Sequence, residues 1–175
     1  MMFKKFLIAL VFITSAVYAQ ERKRDPEEKK PVFREISNKT VVQSVYADAV
    51  KVEKVNDYWY SILDVDDQIL GYAMSSVPFC QNVKGYNNLT PVMIITDKNW
   101  VIQKVAILSH WETLSYVRKL EKNGFFKLWN GKSLTEAKDV VPDGFTGATL
   151  TVKAVAKNVD FLLKKGSKKL PKQKK

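Results

Sequence analysis

Small residues and hydroxyl side chains cluster just before the last predicted helix. Residues 142–151 read Pro-Asp-Gly-Phe-Thr-Gly-Ala-Thr-Leu-Thr. At a helix start the first backbone N–H groups lack partners and the macrodipole is positive, which favours a phosphate. Gly147 and Ala148 let the backbone approach a bulky ligand. On residue types alone an ordinary N-cap remains the better interpretation. The hydroxyls that can serve as cap or phosphate ligand belong to Thr146, Thr149 and Thr151.

The helix that positions these hydroxyls is predicted from the period of its apolar residues. After Ala148, apolar residues recur every three or four positions, and charged residues occupy the other faces. Such a period is typical of an amphipathic helix that packs one side against a core. The apolar positions are Val152, Val155, Val159 and Leu162.

Strand-like runs fill the chain upstream of this helix. Two of them flank Lys98-Asn99, which is the best hairpin signal in the chain. Antiparallel strands with separate helices predict an α+β fold, as one small domain that ends in the helix after residue 148. Predicted strands cover 49–55, 58–64, 69–76, 91–97 and 100–108; predicted helices cover 40–49 and 112–129, with a further turn at 133–138.

The N-terminal residues predict export. Lys4 and Lys5 precede a short apolar run, and Val17-Tyr18-Ala19 is a small-residue cleavage pattern. The apolar run is shorter than the roughly 20 residues that a membrane-spanning helix needs. We therefore expect a signal peptide over residues 1–19 and a periplasmic or other extracytoplasmic protein.

The positive charge of the protein is concentrated at its ends. The formal net charge is +11, but residues 164–175 alone hold seven lysines and no acid. Residues 20–32 predict a charged linker, residues 33–163 a nearly neutral domain, and residues 164–175 a disordered basic tail. This distribution argues against nucleic-acid binding by the domain and leaves the tail free to contact anionic lipid headgroups. One cysteine and one histidine exclude a zinc or iron–sulfur site with four protein ligands.

Residues 143–149 resemble the flavinylation motif of the FMN-binding domain family. That motif is Asp, two variable positions, Ser or Thr, Gly, Ala, and a final Thr or Ser. The family includes the G subunit of Rnf-type and the C subunit of Nqr-type redox complexes, as well as free-standing exported proteins. The resemblance implies that Thr149 carries FMN in a phosphoester bond made by a Mg-dependent flavin transferase. It also implies that Asp143 is recognised by the transferase.

The resemblance covers roughly residues 40–163. Similar segments include Gly71-Tyr72, Gly85-Tyr86 and the run from His110 to Thr113. The chain departs from the family where Glu-Thr-Pro-Gly becomes Glu112-Thr113-Leu114-Ser115, and where Asn87 or Asn88 replaces a glycine. From the resemblance, Glu112 and Thr113 are candidate contacts to the isoalloxazine or ribityl groups.

The resemblance implies an exported electron carrier with covalent FMN, without a catalytic residue or metal of its own. Its redox partners are not specified by the sequence, and a membrane redox complex is one candidate. Two alternatives stay open. One is an unmodified module that docks to a membrane or partner through the basic tail, and the other is an exported flavin-dependent reductase. Whether the protein is an enzyme is therefore left open, with an electron carrier preferred.

Overall fold

A computed structural model describes residues 31–145 and 147–172. The predicted signal peptide, residues 20–30 of the predicted linker, Thr146 and the last three residues lie outside the described residues. No helix in the described ranges is long and apolar enough to cross a membrane.

The centre of the domain is a five-stranded antiparallel sheet in which each strand pairs with the next one along the chain. Every strand lies within a run predicted from apolar, β-branched and aromatic residues. This sheet and the long C-terminal helix confirm the α+β class. The strands are β1 (Lys51–Lys54), β2 (Trp59–Leu63), β3 (Ile69–Ser75), β4 (Val92–Thr96) and β5 (Ile102–Ile107).

Strand β4 shows how the sheet divides the core. Its side chains alternate, so Val92 and Ile94 belong to the larger cluster with the C-terminal helix. Met93 and Ile95 belong to a smaller cluster on the opposite face. Both faces are covered, which explains why β4 is a continuous apolar run instead of an alternating one.

Three α-helices cover the sheet: α1 (Asn38–Gln43), α2 (Leu114–Lys122) and α3 (Thr149–Gly166). Helix α1 ends earlier than predicted, and residues 44–49 form turns instead. The predicted helix over 112–129 is divided at Gly124, whose φ of 76° ends α2 before a 3-10 turn at Phe125–Lys127. A second 3-10 turn, Glu136–Asp139, corresponds to the predicted turn at 133–138.

The C-terminal residues that the structure describes pack against the domain. The Trp59 Nε1–H donates to the Gly166 carbonyl over 3.0 Å, and the Asn56 amide donates to the Lys169 carbonyl over 2.9 Å. Pro171 is buried. Residues 164–172, which were predicted to be part of a disordered tail, are therefore fixed to the fold, because side chains of the β1–β2 turn and of β2 bind their backbone. The lysine-rich composition of this segment predicts disorder and gives no indication of those contacts.

Candidate functional site

Thr149 is the first residue of α3 and is exposed to solvent. Ala148 before it is buried and takes the N-cap position with φ −140° and ψ 33°. Gly147 has a φ of 83°, a left-handed conformation that side chains other than glycine rarely adopt. The turn at Gly147 thus places Ala148 inward and leaves the Thr149 side chain outside.

The start of α3 suits an anionic ligand. No described side chain caps it, and its first turn contains no acidic residue. The Lys119 ammonium of α2 lies 3.4 Å from the point where a Cβ on Gly147 would stand. A positive helix end, an adjacent ammonium and an accessible hydroxyl together fit the phosphate of FMN. Sequence reasoning missed Lys119, because only the tertiary packing of α2 brings it to the attachment turn.

A buried carboxylate ties this turn to two other segments. Glu112 is 1% exposed and its carboxylate accepts hydrogen bonds from the backbone N–H groups of Tyr86 and Asn87 over 3.2 and 3.1 Å. It also accepts a hydrogen bond from the hydroxyl of Thr151, which is itself 1% exposed. We call Glu112 and its three donors the clasp. The clasp joins the loop at residues 85–88 to the first turn of α3.

Gly85 makes room for the clasp. A Cβ at this position would lie 2.6 Å from the Glu112 Oε1 atom and 2.7 Å from the Thr90 methyl carbon. Both distances are below van der Waals contact, and the Glu112 carboxylate is held in place by its hydrogen bonds from the Tyr86 and Asn87 N–H groups. Glycine at 85 is therefore required by the close approach of the carboxylate.

The His110 side chain binds the backbone of Glu112, the central residue of the clasp. Its Nδ1 atom accepts a hydrogen bond from the Glu112 backbone N–H over 3.0 Å. Burial lowers the pKa of His110, an effect that the Glu112 carboxylate partly opposes and Arg34 reinforces. The imidazole is thus neutral at pH 7, in the form that can accept this hydrogen bond.

Asn87 adds a second connection between the loop and residues 111–113. Its side-chain amide donates to the Trp111 carbonyl over 3.0 Å and approaches the Thr113 hydroxyl at 3.4 Å. Thr113 is the N-cap residue of α2, and its side chain does not cap that helix. The Asn87 side chain therefore fixes the loop to these residues.

The structure brings most of the predicted site residues to one place. Gly147, Ala148, Thr149 and Thr151 surround the start of α3, and Glu112 reaches them through Thr151. The predicted flavin contacts of Glu112 and Thr113 stay predictions, and what the structure shows for Glu112 is the clasp. Asp143 is exposed on the surface before the turn, where its carboxylate accepts a hydrogen bond from the Gly144 N–H over 2.8 Å.

Comparison with known protein families gives a match to the second half of the domain. The sequence model of the FMN-binding domain family matches residues 85–164. This range begins at the clasp loop and ends within α3, so it contains the whole candidate site. No curated protein matches the chain.

Proposed function

Residues 85–164 form a member of the FMN-binding domain family, and from this premise we propose that the protein is an exported electron carrier with FMN linked to Thr149 through a phosphoester bond. The protein is an FMN-binding flavoprotein by virtue of that domain. The covalent bond, the electron transfer and the export are the parts that we propose.

The different exposure of two threonines supports Thr149 as the attachment residue. The side chain of Thr149 is exposed at the positive end of α3, whereas the hydroxyl of Thr151 is buried and donates to Glu112. A transferase needs a hydroxyl that it can reach, and Thr151 cannot meet that requirement while the domain is folded. Among the described residues of the motif, Thr149 alone offers an exposed hydroxyl.

The bound flavin would supply the redox chemistry, and the chain would hold and orient it. The helix dipole and the Lys119 ammonium would stabilise a negative phosphate at Thr149. A covalent bond prevents dissociation, so the protein keeps its cofactor where free FMN is scarce. This advantage is greatest outside the cytoplasm, which agrees with the signal peptide predicted over residues 1–19.

Intact mass after co-production with a Mg-dependent flavin transferase tests this proposal. The mass is expected to rise by FMN minus one water, and peptide mass spectrometry is expected to place the increase on Thr149. Thr149→Ala should lose the increase because the nucleophilic hydroxyl is gone. Thr149→Ser should keep it, and Thr151→Val is the matched control in which the attachment site stays at Thr149. A full mass increase in Thr149→Ala would overturn the assignment.

The electron donor and acceptor are proposed to be other redox proteins, and a membrane redox complex is one candidate. The second candidate function, docking to a membrane, is favoured by the ordered C-terminal segment. Its backbone is fixed by Asn56 and Trp59, so its lysines are held at one end of the domain. Lys164 is paired with Asp160 at 2.9 Å, and Lys169 lies over the Tyr58 ring. Exposed lysines in this segment also include Lys165, Lys168 and Lys172.

Binding to vesicles that contain anionic lipid tests the docking function. Glutamine at residues 165, 168 and 172 is expected to weaken binding by about tenfold or more and to reduce its salt dependence, because each lysine near an anionic surface contributes attraction. The control is the same change of charge at three exposed lysines elsewhere on the domain, Lys84, Lys127 and Lys138. Equal binding by both triple variants would contradict docking through the C-terminal segment.

A further inference from the structure

Tyr86 combines a fixed backbone with a free side chain. Its side chain is 64% exposed, which makes it the most exposed aromatic residue in the described ranges. Its backbone N–H is nevertheless bound to the buried Glu112 carboxylate. An exposed aromatic ring gains by covering another flat apolar surface. The arrangement therefore points to a planar ligand.

The clasp places the Tyr86 backbone beside the attachment turn. The Oε2 atom of Glu112 accepts hydrogen bonds from both the Tyr86 N–H and the Thr151 hydroxyl. Two donors on one oxygen lie within about 6 Å of each other. Thr149 stands two residues before Thr151, in the same first turn of α3.

We infer that the Tyr86 ring is the stacking surface for the isoalloxazine of a flavin tethered at Thr149, and that Glu112 is the positioning residue that holds it there. The inference rests on the proposed attachment to Thr149. A flavin ring separated from its phosphate by the ribityl chain meets an exposed aromatic face beside its own anchor. Offset stacking of the two rings removes apolar surface from water on both.

Two other aromatic residues near the clasp are already engaged. Trp111 is 41% exposed, but its ring packs against Phe33 with centroids 5.2 Å apart. Trp129 is 2% exposed and packs edge-on against Phe125 in the core. Tyr86 has no ring partner among the described residues. Trp111 thus provides a matched control, because it is a large aromatic side chain next to Glu112 that takes no part in the clasp.

The test uses flavinylated protein and three readouts: intact mass, flavin emission relative to the denatured sample, and the visible circular dichroism of the flavin. An excited flavin takes an electron from a phenol in contact with it and returns it without emitting, so the wild type is expected to be quenched. Tyr86→Leu should raise the emission several-fold and remove most of the visible dichroism. Loss of one aromatic pair corresponds to a change of about two- to tenfold in the ratio of stacked to unstacked flavin.

Three further variants distinguish a loss of ring stacking from a change in the fold. Tyr86→Phe should raise emission while keeping the dichroism, because the phenyl ring stacks but does not donate an electron. Trp111→Leu should change neither. Thr151→Val should give intermediate emission and faster hydrogen exchange at the Tyr86 amide in the unmodified protein, since the loop is no longer tied to α3.

The outcomes distinguish this inference from the proposed function. A full mass increase with equal emission and dichroism in wild type and Tyr86→Leu overturns the stacking role alone. If Trp111→Leu changes emission and dichroism as much as Tyr86→Leu does, the stacking is not specific to Tyr86, and the inference is overturned as well. Absence of any mass increase in the wild type overturns the attachment, and with it the tethered flavin. Unfolding is not expected to confuse the result, since the Tyr86 side chain is largely exposed.

Discussion

Glu112→Ala is expected to lower the free energy of unfolding by about 3 kcal/mol, since hydrogen bonds to a charged group are strong and buried donors without partners are costly. The variant leaves the N–H groups of Tyr86 and Asn87 and the hydroxyl of Thr151 without their acceptor. It also leaves a small cavity. Part of the loss is offset because the carboxylate no longer has to be buried. Urea denaturation followed by circular dichroism measures the change.

Glu136→Ala is the matched control for that experiment. Glu136 also accepts hydrogen bonds from a backbone N–H and a hydroxyl, both of Ser133, at 2.8 and 2.7 Å. Glu136 is exposed, so water replaces the lost acceptor and the variant should remain close to wild type. Similar urea midpoints for the two alanine variants would show that the clasp contributes no more than a surface contact.

Gly147→Val is expected to abolish most of the flavinylation while the domain still folds. A β-branched residue at a φ of 83° is strained, at a cost of about 1–3 kcal/mol. Release of that strain would shift the turn that presents Thr149, and the added side chain would crowd the Lys119 ammonium, which lies 3.4 Å from the Cβ position. In-gel flavin fluorescence, with circular dichroism of the same sample, measures label and fold together.

Gly131→Val separates backbone strain from proximity to the site. Gly131 has a φ of 74°, and nothing lies within 4 Å of a Cβ placed there. Its valine variant should lose similar stability and keep full flavinylation. Full labelling of Gly147→Val, or an equal loss of label in both variants, would contradict a close approach of the phosphate at Gly147.

The sheet was predictable because each strand is specified by residues that are close together in the sequence. Each strand is a run of β-branched, aromatic and aliphatic residues bounded by turn residues, and the meander pairs only neighbours in sequence. The same reasoning failed at α1, where the apolar spacing of residues 41–49 continued past the end of the helix at Gln43. It failed again at residues 164–172, since their order depends on the side chains of Trp59 and Asn56 and not on their own composition.

The candidate site was predictable only in part. The motif at residues 143–149 is contiguous, so a resemblance could identify Thr149 and the helix that follows. The clasp and Lys119 depend on contacts between segments far apart in the chain, and the sequence carries no periodic signal for such contacts. Glu112 is a candidate flavin contact from the resemblance alone, and its hydrogen bonds to the loop and to Thr151 became visible only in the structure.

The position of Thr149 has a consequence for the timing of modification. Helix α3 is fixed at its start by a contact between residues 39 positions apart and at its end by one between residues 107 positions apart. Contacts at such separations form late, since the intervening chain must first be ordered. A nascent or partly translocated chain that lacks Gly166 cannot yet dock α3 on β2. We therefore expect the proposed transferase to act on the completed, folded domain, so that attachment would follow synthesis and the proposed export instead of accompanying them.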